Sequence, residues 1–132
     1  MKIKLVYHGQ VIAKKNNWKP CLNQRTGRLM IAPTTEAKRQ EAALISAFAQ
    51  GSPQLIDQEG YVVKITVWNR DRRRHDLDNQ ASTILDALVK AGVLPDDNQR
   101  VVEEISATYA GVDAEDPRAE ITIERRIDEK HN

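Results

Sequence analysis

Residues 61–92 carry the clearest structural pattern in the chain and read YVVKITVW (61–68), NRDRRRHD (69–76) and LDNQASTILDALVKAG (77–92). The first part is rich in β-branched residues and alternates apolar with more polar side chains, which predicts a strand. The last part repeats apolar residues at helical spacing and stops at a glycine, which predicts an amphipathic helix. The arginine-rich middle part therefore occupies a strand-to-helix junction.

Two helices are predicted in the chain. Thr34 or Thr35 can cap the first helix, and Gly51 ends it, because hydroxyl side chains favour N-caps and glycine favours the position after a helix. The second helix follows the arginines, and Asp78 or Asn79 can cap it by the same rule. Both helices carry an apolar stripe that a sheet could cover.

Alternating apolar residues predict further strands on both sides of this central stretch. Residues 13–35 contain three asparagines, two prolines and one glycine, so we expect an irregular segment with one brief strand at residues 29–31. The other strands are predicted at residues 2–7, 101–110 and 118–127, the last two as an antiparallel hairpin. We therefore expect an α+β fold: one small domain over residues 1–132, with one mixed or mainly antiparallel sheet and two main helices.

Composition narrows the setting in which the protein works. Cys21 is the only cysteine among 132 residues, so no intrachain disulfide can form and a reducing, cytoplasmic compartment is expected. The first residues alternate lysine with apolar side chains, which is unlike a secretion signal. No apolar run is long enough to cross a bilayer, so no membrane association is expected.

The near-neutral net charge of +1 hides an uneven distribution. Residues 1–40 carry nine Lys and Arg against one acid, which gives +8, and residues 41–132 carry eleven against eighteen, which gives −7. A basic third together with an arginine run at residues 72–74 can form a phosphate-binding face. The alternative, that these charges only solvate the surface, stays open at this point.

Three aspartates flank the second predicted helix and could hold a metal ion. In an extended segment Asp76 and Asp78 point the same way, and Mg²⁺ prefers such carboxylate oxygens. The structural alternative is that acids simply favour helix starts. Asp97 could join the pair only if the strand near Val101 runs antiparallel to the strand at residues 61–68. If the two strands are parallel, Asp97 lies at the wrong end unless a second subunit supplies it.

Three segments of the chain resemble the RusA family of Holliday-junction endonucleases. They are residues 71–79, 85–92 and 96–99, and the resemblance extends more loosely to Asn16, Asn17 and residues 24–28. The resemblance implies a small homodimeric α/β endonuclease, often carried by prophages, that resolves four-way DNA junctions by paired symmetric nicks. It also implies Mg²⁺ as cofactor, with Mn²⁺ as a substitute.

Carried over by position, the resemblance assigns roles to individual residues. The catalytic, metal-binding aspartates are Asp76, Asp78 and Asp97. Where the family has a functionally important lysine, this chain has Ser82. Either another cation, such as Lys14, Lys15 or one of the arginines at residues 72–74, neutralises charge at the phosphate, or the activity is weak or altered. Asp96, Ser82 and His75 are possible accessory residues. The expected DNA-binding residues are Lys14, Lys15, Lys19, Arg25, Arg28, Arg72, Arg73 and Arg74.

Two rival functions remain open on the sequence. The departure at Ser82 is compatible with a catalytically weak or inactive module that only binds DNA junctions. A metal-dependent nuclease acting on other branched or linear DNA would carry the same charged residues. Cleavage of a synthetic junction with and without divalent cation separates these possibilities.

Overall fold

A computed structural model describes residues 2–13, 18–51 and 60–126. This part of the chain forms an α+β domain with a four-stranded mixed sheet, a two-stranded antiparallel sheet and two helices, as the sequence predicts. None of its helices has the length and apolar character needed to span a membrane. In chain order the elements are β1 (Lys2–His8), β2 (Trp18–Leu22), β3 (Leu29–Pro33), α1 (Thr35–Gly51), β4 (Tyr61–Asn69), α2 (Leu77–Lys90), β5 (Val102–Val112) and β6 (Arg118–Arg125).

The main sheet has the strand order β1-β6-β4-β5. Strand β6 pairs antiparallel with both β1 and β4, whereas β5 pairs parallel with β4. Alternate residues of the central strands are buried, because α1 and α2 cover one face of the sheet. Each large aliphatic side chain buried there contributes on the order of 2 kcal/mol. The core side chains include Leu44, Phe48, Val63, Ile65, Ile84, Leu88, Ile121 and Ile123.

The two helices begin at the same end of the sheet. The backbone N–H of Ala37 donates to the Thr34 side-chain oxygen at 3.1 Å, which confirms Thr34 as the cap of α1. Helix α2 begins at Leu77 with Asp76 in the N-cap position, so the prediction of a cap at Asp78 or Asn79 is wrong by two or three residues. Leu77 packs against the core, and an earlier helix start is what brings it there.

The predicted hairpin of the last two strands is wrong. Strand β6 lies between β1 and β4, and β5 lies on the far side of β4 at the edge of the sheet. Burial explains this order: Ala119, Ile121 and Ile123 of β6 are completely buried, as in a central strand, whereas β5 is largely exposed. The alternating pattern identified both strands but carried no information about their neighbours.

The expectation that β5 runs antiparallel to β4 is also wrong. The 14 residues of α2 span about 21 Å at 1.5 Å per residue, which is close to the length of β4. The helix therefore returns the chain along the sheet by itself, and β5 then starts beside the start of β4. This β-α-β connection is the usual way to join parallel strands.

Residues 18–33 are more regular than predicted. Strands β2 and β3 form an antiparallel hairpin, hereafter the arm hairpin, from the Trp18–Pro33 pair to the Leu22–Leu29 pair. The turn is fixed by Asn23, whose side-chain oxygen accepts the N–H groups of Arg25 and Thr26 at 2.9 and 3.3 Å. Gly27 completes the turn with φ of +71°, a conformation that favours glycine.

Candidate metal and nucleic-acid site

A buried network of amide side chains holds the end of β4 against its surroundings. The Gln80 amide donates to the Asn69 side-chain oxygen at 3.0 Å and to the Val11 carbonyl at 2.9 Å. Gln10 donates to the same Asn69 oxygen at 2.9 Å and accepts the N–H of Arg70 at 2.6 Å. The network therefore links β4, α2, the segment after β1 and Arg70, the first arginine after β4.

We expect Gln80→Ala to lower the free energy of unfolding by about 1–3 kcal/mol, because it leaves buried acceptors with fewer donors. Urea denaturation checks this change. Ser82→Ala is the matched control on the exposed side of the same helix and should change stability by less than about 0.5 kcal/mol. Equal effects of the two substitutions would contradict a structural role for the network.

A cleft of about 470 Å³ opens beside the network, at the end of the sheet where both helices begin. Glu36 lies in the first turn of α1, and Asp76 is the N-cap of α2. Helix N-termini carry partial positive charge and unpaired N–H groups, so two of them at one cleft favour an anionic ligand. The charged and titratable residues that line the cleft are Glu36, Arg70, Arg73, Arg74, His75 and Asp76.

In the arginine loop between β4 and α2, two arginines contact an acidic side chain and two form no ion pair in the described part of the chain. Arg70 and Arg73 approach the Asp71 carboxylate at 3.9 and 3.7 Å, and Asp71 also accepts the backbone N–H of Arg73 at 2.9 Å. Arg72 and Arg74 are exposed and form no ion pair with any residue that the structure describes. These two guanidinium groups are available to phosphate, which they can grip in a bidentate way.

Asp76 and Asp78 lie close together but not as an extended pair. Asp76 has extended backbone angles, whereas Asp78 is already in the first turn of α2. The prediction of one extended segment through both aspartates is therefore wrong at Asp78, although both side chains are exposed at the same helix start. Their carboxylate oxygens are the ligand type that a hard divalent cation requires.

Asp97 lies at the opposite end of the sheet from this pair. The carbonyl of Asn98 accepts the N–H groups of Val101 and Val102 at 3.1 and 2.9 Å, and Val102 pairs with Tyr61 at the start of β4. The nine residues of β4 separate its two ends by about 26 Å at ~3.3 Å per residue. One protomer therefore does not bring the three aspartates together.

The loop that contains Asp97 is ordered by its neighbour. The N–H of Asp97 donates to the Asp96 carboxylate at 2.7 Å, and the Asn98 amide donates to its other oxygen at 3.1 Å. The first of these bonds lowers the pKa of the Asp96 carboxyl, and the second adds to the effect. Within residues 2–13, 18–51 and 60–126, no three His, Cys, Asp or Glu side chains are grouped to hold a metal ion.

The remaining predicted site residues fall in three places. Lys19, Arg25 and Arg28 are exposed on the arm hairpin, and Ser82 is exposed on α2. His75 lines the 470 Å³ cleft and the cleft next to it. Lys14 and Lys15 lie outside the described residues.

Sequence reasoning missed several residues that build the cleft. Glu36 was visible only as an acid in the first turn of a predicted helix, which is a common structural choice. Gln10, Asn69 and Gln80 gave no signal, because a buried amide pair depends on contacts between distant parts of the chain.

Comparison with known proteins adds an independent finding. The family model described as endodeoxyribonuclease RusA matches residues 9–124. The matched region includes the cleft, the arginine loop and both aspartate segments. No curated protein matches the chain.

Proposed function

Because the chain belongs to the RusA family of endodeoxyribonucleases, whose activity is the resolution of Holliday junctions, we propose that it cuts four-way DNA junctions by paired nicks in Mg²⁺. The observation that carries this proposal is the cleft at the end of β4. There, Arg74, which forms no ion pair in the described part of the chain, lines the cleft together with Asp76, where two helices begin. Arg72 lines the adjoining cleft, and Asp78 is exposed in the first turn of α2. Phosphodiester cleavage needs this combination of phosphate-binding cations and carboxylates.

The donor chemistry at the start of α2, beside the cleft, fits a divalent ion. Asp76 and Asp78 offer two carboxylates, and Mg²⁺ commonly takes one or two of these and completes its shell with water and phosphate oxygens. Nucleases of this family generally depend on a divalent metal, and Mn²⁺ would act as a substitute. Such an ion would polarise the scissile phosphate and lower the pKa of the attacking water.

The arginine loop would bind and orient the DNA backbone. Arg72 and Arg74 would hold phosphate oxygens and offset the negative charge that grows in the transition state. They would also replace the family lysine, since Ser82 is neutral and cannot supply that charge. Lys19, Arg25 and Arg28 on the arm hairpin would extend the basic surface along the DNA, together with Lys14 and Lys15.

A second copy of the chain would supply the third aspartate. The outer edge of β5 pairs with no strand in the described part of the chain, and Ile105 on its helix side is 46% exposed. Unpaired edges with apolar side chains are natural sites of strand addition. If two copies pair through β5 in antiparallel fashion, each strand start lies beside the other strand's end. The partner's Asp97 then approaches Asp76 and Asp78.

Two-fold symmetry would account for paired cutting. A dimer built through β5 carries two equivalent clefts related by a two-fold axis. A four-way junction is itself approximately two-fold symmetric, so each cleft would meet one of two opposed strands. Symmetric nicks follow from this match of symmetries.

The cleavage assay that tests the proposal uses a synthetic four-way junction and a linear duplex of the same sequence. We expect paired nicks in the junction with Mg²⁺, none with EDTA, and little cutting of the duplex. Tight junction binding without cleavage in Mg²⁺ or Mn²⁺ would instead indicate a binding module. Equal cleavage of junction and duplex would indicate a nuclease of broader substrate range.

A further inference from the structure

The outer face of the arm hairpin is apolar. Cross-strand partners share a face and alternate residues lie on the same side of a strand, so three neighbouring pairs form one surface. Leu29, Ile31 and Leu22 of this face are 78%, 69% and 59% exposed. On the opposite face, Cys21 and Ala32 are half-buried, whereas Lys19 and Met30 are exposed. The three pairs of the outer face are Trp18–Pro33, Pro20–Ile31 and Leu22–Leu29.

A contiguous exposed apolar surface of this kind indicates a site that binds a partner. Two strands alone bury little, and large aliphatic side chains that stay in water forgo on the order of 2 kcal/mol each. The six residues are contiguous on one face, so they differ from the scattered apolar residues of ordinary surfaces.

The charges of the arm hairpin indicate the chemistry of that partner. Lys19, Arg25 and Arg28 are its only charged residues, and no acid occurs between Trp18 and Thr35. Arg25 and Arg28 form no ion pair with any residue in the described part of the chain. The hydrogen-bonded turn at Asn23 places both arginines next to the Leu22–Leu29 pair. The partner should therefore combine negative charge with an apolar surface.

The two ends of the arm hairpin lie beside the candidate site. Ile12 and Ala13, which precede it, line the 470 Å³ cleft, and Glu36, which follows it, lines the same cleft. A molecule bound in the cleft therefore lies next to the base of the arm hairpin. With the function proposed above, that molecule is branched DNA.

We propose that the arm hairpin acts as a wedge that places Leu22 and Leu29 against the base pairs at the branch point of a DNA junction. The inference rests on the proposed function and explains how a branched substrate is recognised. Base pairs at a branch point expose flat apolar faces, and DNA-binding proteins insert Leu, Ile and Pro between base steps. A two-stranded ribbon fits a DNA groove. Arg25 and Arg28 would bind the flanking phosphates.

A second copy of the chain is the other possible occupant. A stable interface between copies covers about 800 Å² on each partner, which is a large area for a two-stranded ribbon. The charged residues of the arm hairpin are all positive, so two hairpins would repel each other, whereas a polyanion such as DNA would neutralise their charge. The observations therefore favour DNA.

The test compares Leu22→Ser/Leu29→Ser with Met30→Ser. Met30 is 45% exposed and lies on the opposite face of the same hairpin, paired with Cys21, so it is a matched control. The probes are a four-way junction with 2-aminopurine at the branch point and a linear duplex. We expect the double variant to bind the junction about tenfold more weakly, the scale of a lost contact with a base. Duplex affinity should change less than about twofold, because the phosphate contacts remain.

Two further measurements complete the test: 2-aminopurine fluorescence of the bound junction and the oligomeric mass of each variant. The wild-type protein and Met30→Ser should raise 2-aminopurine fluorescence on binding the junction, and the double variant should not. An equal loss of junction and duplex affinity would overturn the wedge, as would unchanged binding. A smaller oligomeric mass of the double variant would show that a second copy covers this face instead. Failure of the proposed function looks different: the wild-type protein would then leave the junction uncut in Mg²⁺.

Discussion

Asp78→Asn is expected to reduce junction cleavage in Mg²⁺ by at least about 10³-fold, since metal-assisted charge stabilisation is worth several kcal/mol and each 1.36 kcal/mol is tenfold in rate. Asparagine keeps the shape of the side chain but lacks the anionic oxygen that a hard cation requires. Junction affinity should persist, because the arginine loop is unchanged and one negative charge near the DNA is removed. Single-turnover cleavage and gel-shift titration measure the two quantities separately.

The matched control for this change is Asp86→Asn on the same helix. Asp86 lies two turns further along α2 and contacts Lys90 at 3.2 Å on the surface, a pair worth at most about 1 kcal/mol. Cleavage by this variant should stay close to that of the wild-type protein. Full activity of Asp78→Asn, or an equal loss in Asp86→Asn, would contradict the role assigned to the helix start.

Asp97→Asn is expected to reduce cleavage as much as Asp78→Asn, although about 26 Å of sheet separates Asp97 from the cleft of its own protomer. The reason is that each Asp97 would serve the cleft of the partner subunit. Asp96→Asn separates loss of the carboxylate from disturbance of the loop. Its side-chain oxygen can still accept the N–H of Asp97, so this variant should retain activity within about tenfold of the wild-type protein.

The sequence predicted those parts of the fold that depend on local patterns. The alternation in β1 and β4 and the cap and glycine of α1 are each contained within one segment. Strand order and direction are set by contacts between distant segments, which is why the pairing of β5 was predicted wrongly twice. Residues 18–33 contain many residues typical of turns, so their composition did not predict the hairpin, which depends on the turn at Asn23.

In the candidate site, too, the sequence predicted the features that depend on local residues and missed those set by contacts between distant segments. The arginine loop and the aspartates at the start of α2 were recognisable, because their residue types and spacing are local. The position of Asp97 was not, since it depends on whether β4 and β5 are parallel. The buried amides of Asn69 and Gln80 are ordinary polar residues in the sequence and acquire their role only through packing.

If each active site combines residues of two protomers, mixing two inactive variants should restore cleavage. Asp76→Asn and Asp97→Asn are purified separately and then allowed to exchange subunits. In a mixed dimer, one cleft carries both substitutions and the other carries neither. With random exchange, about a quarter of all clefts are intact, so the mixture should nick one junction strand although each variant alone is inactive.

Interface variants show whether that rescue depends on β5. Ile105→Glu in both chains should abolish rescue by weakening the proposed strand pairing, whereas Ser106→Glu places the same charge on the other face of β5 and should preserve it. Single-strand nicking by the mixture, lost with Ile105→Glu, is the predicted result. A mixture that stays as inactive as its separate components after verified subunit exchange would contradict an active site shared between two copies.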